Sequence, residues 1–400
     1  MKTKTKLFSL VSIIVMLLVS ACSSSPAPVA APTTSVTGNE VVAPTVEQNT
    51  AVPAVTEEPL VTTEAKTEGP ITFTDGTGRE VSLPAVPQRI VVAGKATPYV
   101  LDTIFLFPDV AEKLVALELR NFDTQTFLGL VDPKVKVSPM LEKDSGPEQI
   151  APYQPDLVIV KNVSLGKLGS ALQEISIPVM GMNLETPEFF YEDIRALGKA
   201  FDNSARADEI IAYYHKIEKQ LSDRLAGLEE EDKPSVLVLQ YSEDGGEVSF
   251  KVPPVSYLQT TMVEKAGGSP IWTEIDAGGD GWIQIGLEQI AAWNPEMVFV
   301  VNYNGDSVET AQKLMASPTW AGLKAVENQQ IFGYPADFAS WDLIDPRWIL
   351  GQQWMATVIQ PQRTTDIDLR AQVVNFYHEM YGLSDEEISN SILPLLDEIK

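Results

Sequence analysis

Residues 146–160 read GPEQIAPYQPDLVIV, and residues 286–300 repeat the stretch as GLEQIAAWNPEMVFV. Eight of the fifteen positions are identical between the two copies. Each copy predicts a short helix that carries Glu-Gln-Ile-Ala, a turn that contains proline, and an apolar β-strand. One helix-turn-strand unit in each half of the chain indicates two lobes built on one plan. The repeat also gives each lobe one matching glutamate, Glu148 and Glu288.

The first 22 residues have the pattern of a bacterial lipoprotein signal. A lysine-rich start precedes an apolar run at 7–21. The run is shorter than the roughly 20 residues of a membrane span, and it suits a signal-peptide core. It is followed by Cys22, the single cysteine of the chain, which lies where a lipidated mature N-terminus is expected and excludes an internal disulfide. We therefore predict an extracytoplasmic protein, anchored by lipid to the outer face of the cytoplasmic membrane or in the periplasm.

Composition and size divide the remaining chain. Residues 23–69 are rich in Pro, Thr and Ser without periodicity, which predicts a disordered tether. The part that follows is longer than a typical single domain, so its size also favours two lobes. Apolar residues at helical spacing over 205–228 predict one connecting helix. This helix would join an N-terminal α/β lobe at 71–204 to a C-terminal α/β lobe at 234–400 that includes terminal helices.

Short and continuously apolar runs dominate both lobes. Such runs suit parallel strands buried on both faces of a sheet. Thr97 and Pro98 follow one run and predict a helix start with Thr97 as the cap. The predicted fold class is α/β, with two Rossmann-like lobes that contain parallel sheets and are joined by one long connecting helix. The formal charge of −26 argues against nucleic acid and anionic lipid as partners.

Further motifs keep a characteristic order along the chain. They are DGTGREV at 75–81, the two copies of the repeat, SPTWAGLKAV at 317–326 and DPR at 345–347. Together they resemble the helical-backbone substrate-binding proteins of ABC importers, the family that takes up ferric siderophores, haem and vitamin B12. The resemblance covers about residues 71–362. It implies a monomer without catalytic activity or intrinsic cofactor, which delivers its ligand to a permease dimer served by separate ATPase subunits.

The resemblance also gives Glu148 and Glu288 a role. In the B12-binding member, the glutamate at this place in each lobe pairs with permease arginines, so we expect both residues to dock the protein. A simpler alternative is that a glutamate in a first helical turn stabilises the helix dipole by about 0.3–1 kcal/mol. The two roles are compatible.

A cleft between the lobes is the expected ligand site, lined by aromatic and polar residues near strand ends. Trp282 lies in a glycine-rich loop six residues before Glu288 and matches a ligand-contacting tryptophan of the B12-binding member, with burial in the core as the alternative. Lys95 and Tyr99 lie at a strand–helix junction of the first lobe, and a solvated lysine is the alternative for Lys95. The remaining candidates, for which packing within a loop is the alternative, are Arg120, Phe122, Tyr241, Phe250 and Trp341. The ligand that the resemblance implies is a small-molecule metal complex: an iron chelate, haem or a corrinoid.

Other functional classes find less support. Two histidines, His215 and His378, are too few for a zinc or manganese site, and both fall in predicted helices. The loop at 276–281 departs from the calcium-loop pattern, and no GxSxG, phosphate-loop or HExxH motif is present. A surface-anchored enzyme stays an alternative, although nothing in the sequence positions a nucleophile or base. A surface-anchored adhesin is the other alternative, but it would not require the paired glutamates or the repeat.

Overall fold

Two α/β lobes, each containing one copy of the repeat, form the computed structural model, which describes residues 69–119, 121–275 and 281–396. One compact unit runs from Glu64 to Lys400 and holds both lobes, and the other unit, Met1–Thr63, lies outside the described residues. The predicted lipidation site Cys22 and the predicted tether at 23–69 also lie outside them. No helix in the described part of the chain combines the length and the apolar character needed to cross a membrane.

The N-terminal lobe is built on a parallel sheet with the strand order β4-β3-β5-β6. An antiparallel hairpin, β1–β2, precedes this sheet. The strands are β1 (Ile71–Thr74), β2 (Glu80–Leu83), β3 (Ile90–Val92), β4 (Leu114–Leu117), β5 (Leu157–Lys161) and β6 (Val179–Met182). The central strands β3 and β5 are buried along their whole length, as their continuous apolar sequences predict.

Seven α-helices surround the first sheet among the described residues. They are α1 (Thr97–Ile104), α2 (Val110–Lys113), α3 (Phe122–Val131), α4 (Pro147–Ile150), α5 (Asn162–Ser164), α6 (Ser170–Glu174) and α7 (Pro187–Ala200). The predicted cap of α1 is wrong. Ala96, with a left-handed φ of 57°, precedes the helix, and Thr97 is already its first residue. The Thr97 hydroxyl donates instead to the Glu118 carbonyl beyond β4, so it ties the helix to the sheet.

The hairpin β1–β2 is attached to the first sheet through Asp75 of the DGTGREV motif. The Asp75 carboxylate accepts from the backbone N–H of Thr77 at 3.0 Å and of Gly181 in β6 at 2.9 Å. It also pairs with Arg79 at 2.8 Å. These bonds lower the pKa of Asp75 despite its burial. The motif therefore fixes the hairpin to the first sheet of this lobe.

The C-terminal lobe has a mixed sheet with the order β10-β8-β7-β11-β12, and β9 pairs with β7 beside it. Strands β9 and β11 pair with β7 in parallel, and β12 pairs with β11 in parallel. Strand β8 is antiparallel to both of its neighbours, β7 and β10. The strands are β7 (Ser235–Asp244), β8 (Glu247–Val252), β9 (Ser269–Pro270), β10 (Ile283–Ile285), β11 (Met297–Val301) and β12 (Ile331–Gly333). The helices that follow the connecting helix are α9 (Leu258–Lys265), α10 (Leu287–Trp293), α11 (Ser307–Met315), α12 (Lys324–Glu327), α13 (Trp348–Ile359), α14 (Leu369–Tyr381) and α15 (Asp385–Glu387).

The antiparallel flank of this lobe differs from the parallel sheet that was predicted. Gly245 and Gly246, with φ of 58° and 87°, turn the chain tightly so that β8 folds back on β7. Tyr241 and Phe250, which were expected in loops, are therefore strand residues that lie opposite each other in the ladder. The predicted class, two α/β lobes with parallel sheets and a connecting helix, is confirmed.

The connecting helix is α8 (Ser204–Leu225), which packs on α7 of the first lobe and on α13 of the second. The Asn203 side chain caps it by accepting from the Arg206 N–H at 3.2 Å. Glu218 bridges the lobes, because it accepts from Tyr191 in α7 and from Lys265 in α9, each at 2.6 Å. Helix α8 therefore contributes to the cores of both lobes.

The repeated unit has the same geometry in each lobe. Gly146 and Gly286 precede the two helices in extended conformations, with φ of −93° and −94°. The residue after each proline, Asp156 or Glu296, accepts backbone N–H groups at the start of the neighbouring strand, at Arg89 and Ser235 respectively. The carboxylate in each copy therefore sets the register between two parallel strands.

Candidate functional site

A cleft of about 820 Å³ lies between the lobes. The first lobe supplies residues from α1 and from the start of α3, and the second supplies the segments that follow β11 and β12. The carboxyl ends of parallel strands are the usual binding edge of open α/β sheets. Aromatic and acidic side chains from both lobes line it: Tyr99, Asp102, Asp123, Tyr303, Asp306, Asp337 and Phe338.

On the first lobe, Tyr99 projects from α1 and is half-buried. Burial and then the carboxylates of Asp342 and Asp345 raise the pKa of its hydroxyl. Carboxylates of the second lobe therefore act electrostatically on a helix residue of the first lobe. Glu185 adds a further raising influence from the first lobe, so the surroundings of Tyr99 are electronegative.

The floor of the cleft holds a buried ion network around Arg347 of the DPR motif. Its guanidinium contacts Asp102 of the first lobe at 2.7 Å, and Asp337 and Asp345 of the second at 2.8 and 3.1 Å. It also stacks over the Phe127 ring of the first lobe at 4.2 Å. Burial raises the pKa of Asp102 to about 6 and that of Asp345 to about 7, with Arg347 opposing the shift. Three carboxylates against one guanidinium leave an excess of negative charge beneath the cleft.

On the second lobe, Tyr303 follows β11 by two residues and is 39% exposed. Its hydroxyl donates to Asp342 at 2.6 Å, and Asp342 is fully buried. Asp342 also accepts from Ser340 at 2.5 Å and from the Gln259 amide at 3.2 Å. The Trp282 ring meets that of Tyr303 edge-on, with centroids 6.2 Å apart. Asp342 therefore fixes the hydroxyl of Tyr303, and the Trp282 ring packs against its aromatic ring.

The structure brings some predicted ligand contacts to this cleft and places others elsewhere. Tyr99 lines the cleft, and half-buried Trp282 contacts it through Tyr303. Lys95 is exposed, and its backbone N–H donates to the Ser164 hydroxyl at 2.8 Å. Trp341 is fully buried, and its indole N–H donates to Asp337 at 3.2 Å.

The remaining candidates divide between the outer sheet and the start of α3. Tyr241 is buried in the antiparallel flank, where its hydroxyl bonds Glu243 at 2.6 Å, and half-buried Phe250 packs beside it. Arg120 and the side chain of Phe122 lie outside the described residues, although the Phe122 backbone begins α3 at the cleft. The sequence analysis missed Tyr303, Asp342 and Asp102. Tyr303 could have been found, because it follows a buried strand where ligand contacts are expected.

Glu148 and Glu288 are exposed in the first turns of α4 and α10. Each carboxylate folds back over the glycine that precedes its helix. A Cβ on Gly146 would lie 2.5 Å from one Glu148 oxygen, and one on Gly286 would lie 2.9 Å from a Glu288 oxygen. At this position each carboxylate interacts favourably with the dipole of its helix. It also leaves two equivalent anions at the surface.

The chain before each of these helices is fixed to its lobe. Glu118 accepts from the N–H of Gly94, beyond β3, and from that of Asp144, two residues before the first repeat begins, each at 3.0 Å. In the second lobe, β10 (Ile283–Ile285) lies between Trp282 and Gly286. In the parts of the chain that the structure describes, no group of three His, Cys, Asp or Glu side chains could hold a metal ion.

Comparison with known proteins identifies the class. The family model described as periplasmic binding protein matches residues 123–338. The chain belongs to this family, which confirms its resemblance to the solute-binding proteins of ABC importers and indicates an extracytoplasmic location. The molybdate-binding protein MolA of Haemophilus influenzae is 25% identical over 341 residues, which cover 78% of this chain and 91% of MolA.

Solved structures share the fold. A periplasmic solute-binding protein of Veillonella parvula superposes with a TM-score of 0.65 at 22% identity, covering 82% of this chain and 99% of that one. CeuE of Helicobacter pylori with Ni(II) bound gives a TM-score of 0.63 at 19% identity, covering 80% and 99%. The matched family and MolA are both named for binding, which fits a protein that binds its solute without catalysing a reaction.

Proposed function

We propose that this protein is the lipid-anchored receptor of an ABC importer, and that it captures an intact metal complex in the cleft between its lobes. An iron chelate, haem or a corrinoid is the ligand class that we favour. The observation that carries the ligand class is the cleft itself: about 820 Å³ lined by aromatic and acidic side chains. This volume lies within the range of small-molecule and cofactor sites, roughly 300–1,000 Å³.

A bare oxyanion is the second candidate, because the relative MolA is named as a molybdate-binding protein. Oxyanions are usually held by arginine, lysine or helix N-termini. Among the described residues that line the cleft there is no lysine or arginine. The excess of carboxylates on the cleft floor also opposes a small anion. The starts of α3 and α11 also line the cleft, but the side chains of Asn121 and Asp306 already accept from their first N–H groups. These features favour a neutral or cationic complex over molybdate.

The ligand class can be tested by purifying the mature protein from its own cells and measuring the mass, metal content and absorption spectrum of what it carries. We expect a coloured metal complex that is released on denaturation. Tryptophan fluorescence titrations of the emptied protein with a ferric siderophore, haemin, cobalamin, molybdate and nickel–histidine then rank the classes. If molybdate alone binds tightly, the ligand is an oxyanion and not a metal complex.

Docking on the permease is proposed for Glu148 and Glu288, because they are exposed and stand at equivalent places in the two lobes. The double variant Glu148→Arg, Glu288→Arg should lose most ligand uptake while its affinity for ligand stays unchanged. Each single reversal should have an intermediate effect, and reversing the partner arginines should restore part of the activity. Glu192→Arg with Glu264→Arg is the matched control, since both residues are exposed and the change in net charge is equal. Normal uptake by the first double variant would falsify the docking role.

Anchoring is proposed through a lipid on Cys22, which follows the apolar run of the signal. Cys22→Ser should leave the protein unprocessed or released from the membrane, as measured by fractionation. A correctly processed variant that stays as firmly bound as the wild type would contradict the lipid anchor.

A further inference from the structure

The second-lobe wall of the cleft contains a tyrosine whose hydroxyl is fixed by a buried charge. Tyr303 is exposed to the cleft, while its hydroxyl donates to Asp342 at 2.6 Å. Three groups act as donors to Asp342: the Tyr303 hydroxyl, the Ser340 hydroxyl and the Gln259 amide. Convergence of donors on both oxygens is the arrangement that an ionised carboxylate requires. All three donors are neutral, so none of them cancels the charge of Asp342.

This arrangement changes the chemistry of the tyrosine ring. A phenol that donates to a carboxylate through a short, charge-assisted bond holds more negative charge on its oxygen. The faces of aromatic rings attract cations, and the attraction grows when the site is desolvated. The Asp342 carboxylate also acts across the cleft, because it is the leading charged influence that raises the pKa of Tyr99. Both tyrosines at the cleft therefore stand in the field of one buried carboxylate.

We propose that Asp342 is a specificity-determining residue that acts through Tyr303, so that the cleft selects complexes with positive charge over neutral and anionic ones of similar size. The inference rests on the proposed function and names the charge class of its ligand. Asp342 is buried and touches no solvent, so its role is to position and polarise Tyr303. The Trp282 ring, edge-on at 6.2 Å, holds the other side of the tyrosine.

Two inert octahedral probes of similar size test the selectivity: tris(ethylenediamine)cobalt(III), a trication, and hexacyanocobaltate(III), a trianion. Binding to the emptied full-length protein is measured by calorimetry and tryptophan fluorescence at about 0.15 M salt, which screens the acidic outer surface. We expect the cation to bind and to compete with the natural ligand. Asp342→Asn and Tyr303→Phe each remove the charge-assisted hydrogen bond but keep an aromatic ring, so each should weaken cation binding about threefold, a part of a desolvated cation–π contact.

The chain offers a matched control outside the cleft. Tyr241 donates to Glu243 at 2.6 Å in the antiparallel flank, so Glu243→Gln removes a carboxylate from another tyrosine. This control should leave binding of both probes unchanged. A thermal melt of each variant shows whether it folds, and Tyr303→Phe keeps the test available if Asp342→Asn does not.

The double variant separates action through Tyr303 from a merely structural role. If Asp342 acts through Tyr303, the double variant should weaken cation binding no more than either single variant. Additive losses, equal binding of cation and anion by the wild type, or binding of neither probe would each overturn the inference. These outcomes leave the proposed function standing, because that proposal depends on the ligand that co-purifies.

Discussion

At the residue scale, Asp193 is an acid buried in α7, and no cationic side chain of the described residues is in direct contact with it. One oxygen accepts from the N–H groups of Asn183 and Leu184 at 2.9 and 2.8 Å, which fixes the turn after β6. Burial raises the pKa of Asp193 to about 8, although these bonds and Lys161 oppose the shift. The folded protein therefore holds a proton here that the unfolded chain releases near pH 4.

The first prediction is a dependence of stability on pH. Because the folded pKa of Asp193 is raised, its contribution to stability is fully present below about pH 4 and is lost as pH rises towards about 8. Asp193→Asn keeps an acceptor for the two N–H groups and removes the titration. Denaturant unfolding at several pH values should show a flatter slope between about pH 4 and 8 for this variant than for the wild type. An unchanged slope would mean that Asp193 is ionised in the folded protein.

Two tryptophans allow a second prediction at this scale. Trp341 is fully buried, so Trp341→Ala should cost about 3–5 kcal/mol of unfolding free energy. Trp282 is half-buried beside Tyr303, so Trp282→Ala should shift the melting temperature much less and weaken ligand binding. Calorimetric melts and ligand titrations of both variants measure the contrast. Intact affinity together with a large loss of stability in Trp282→Ala would place this residue in the core.

At the scale of single elements, α8 is the segment on which both lobes depend. Its apolar face, from Ala207 to Leu221, is buried against them, while Ala212 lies on the exposed face near the middle. A proline there removes one backbone hydrogen bond and clashes with the carbonyl of Asp208, so it breaks the helix without replacing a buried side chain.

The third prediction is that Ala212→Pro destabilises the protein by about 3 kcal/mol or more, and Ala212→Gly by about 1 kcal/mol. Chemical denaturation should show one transition for the glycine variant, because the two lobes share the helix. The proline variant should in addition bind ligand more weakly, since its lobes lose their fixed relation. Equal stability of the proline and glycine variants would show that α8 is not a continuous helix.

Elements were predictable from the sequence where the local pattern decides them. The helix expected at 205–228 is found at Ser204–Leu225, and the buried strands β5 and β11 are the apolar ends of the two repeats. The antiparallel partner β8 was missed although the sequence signals it, because its residues EVSFKV alternate between polar and apolar and follow the turn glycines Gly245 and Gly246. Tyr303 and Asp342 were missed for a different reason. They lie 39 residues apart, and only folding brings the hydroxyl to the carboxylate.

At the scale of the whole molecule, the lobes are joined by more than their connecting helix. Arg347 pairs with Asp102 of the first lobe and with Asp337 and Asp345 of the second. Helix α14 adds Tyr381, whose hydroxyl donates to the Asp102 carbonyl at 3.0 Å. The interface between the lobes therefore contains a buried polar network that is continuous with the cleft floor.

The fourth prediction concerns this network. Arg347→Met leaves three carboxylates around an apolar side chain, so it should cost about 3–5 kcal/mol of unfolding free energy at neutral pH. The loss should shrink as pH falls through about 7 and 6, where Asp345 and Asp102 become neutral. Arg224→Met is the control, because its pair with Asp366 lies at the surface and contributes several times less. A pH-independent loss would show that the carboxylates are not the cause.

The shared helix and the Arg347 network together bear on how long a bound ligand stays. Because the two lobes are already fixed, the protein loses little conformational entropy when a ligand binds. The free energy of the ligand contacts therefore appears mainly as slow dissociation. In the proposed function, unloading is then expected to require strain that the permease imposes on the two lobes. In such a cycle part of the free energy of ATP would separate the bound molecule from its receptor before it crosses the membrane.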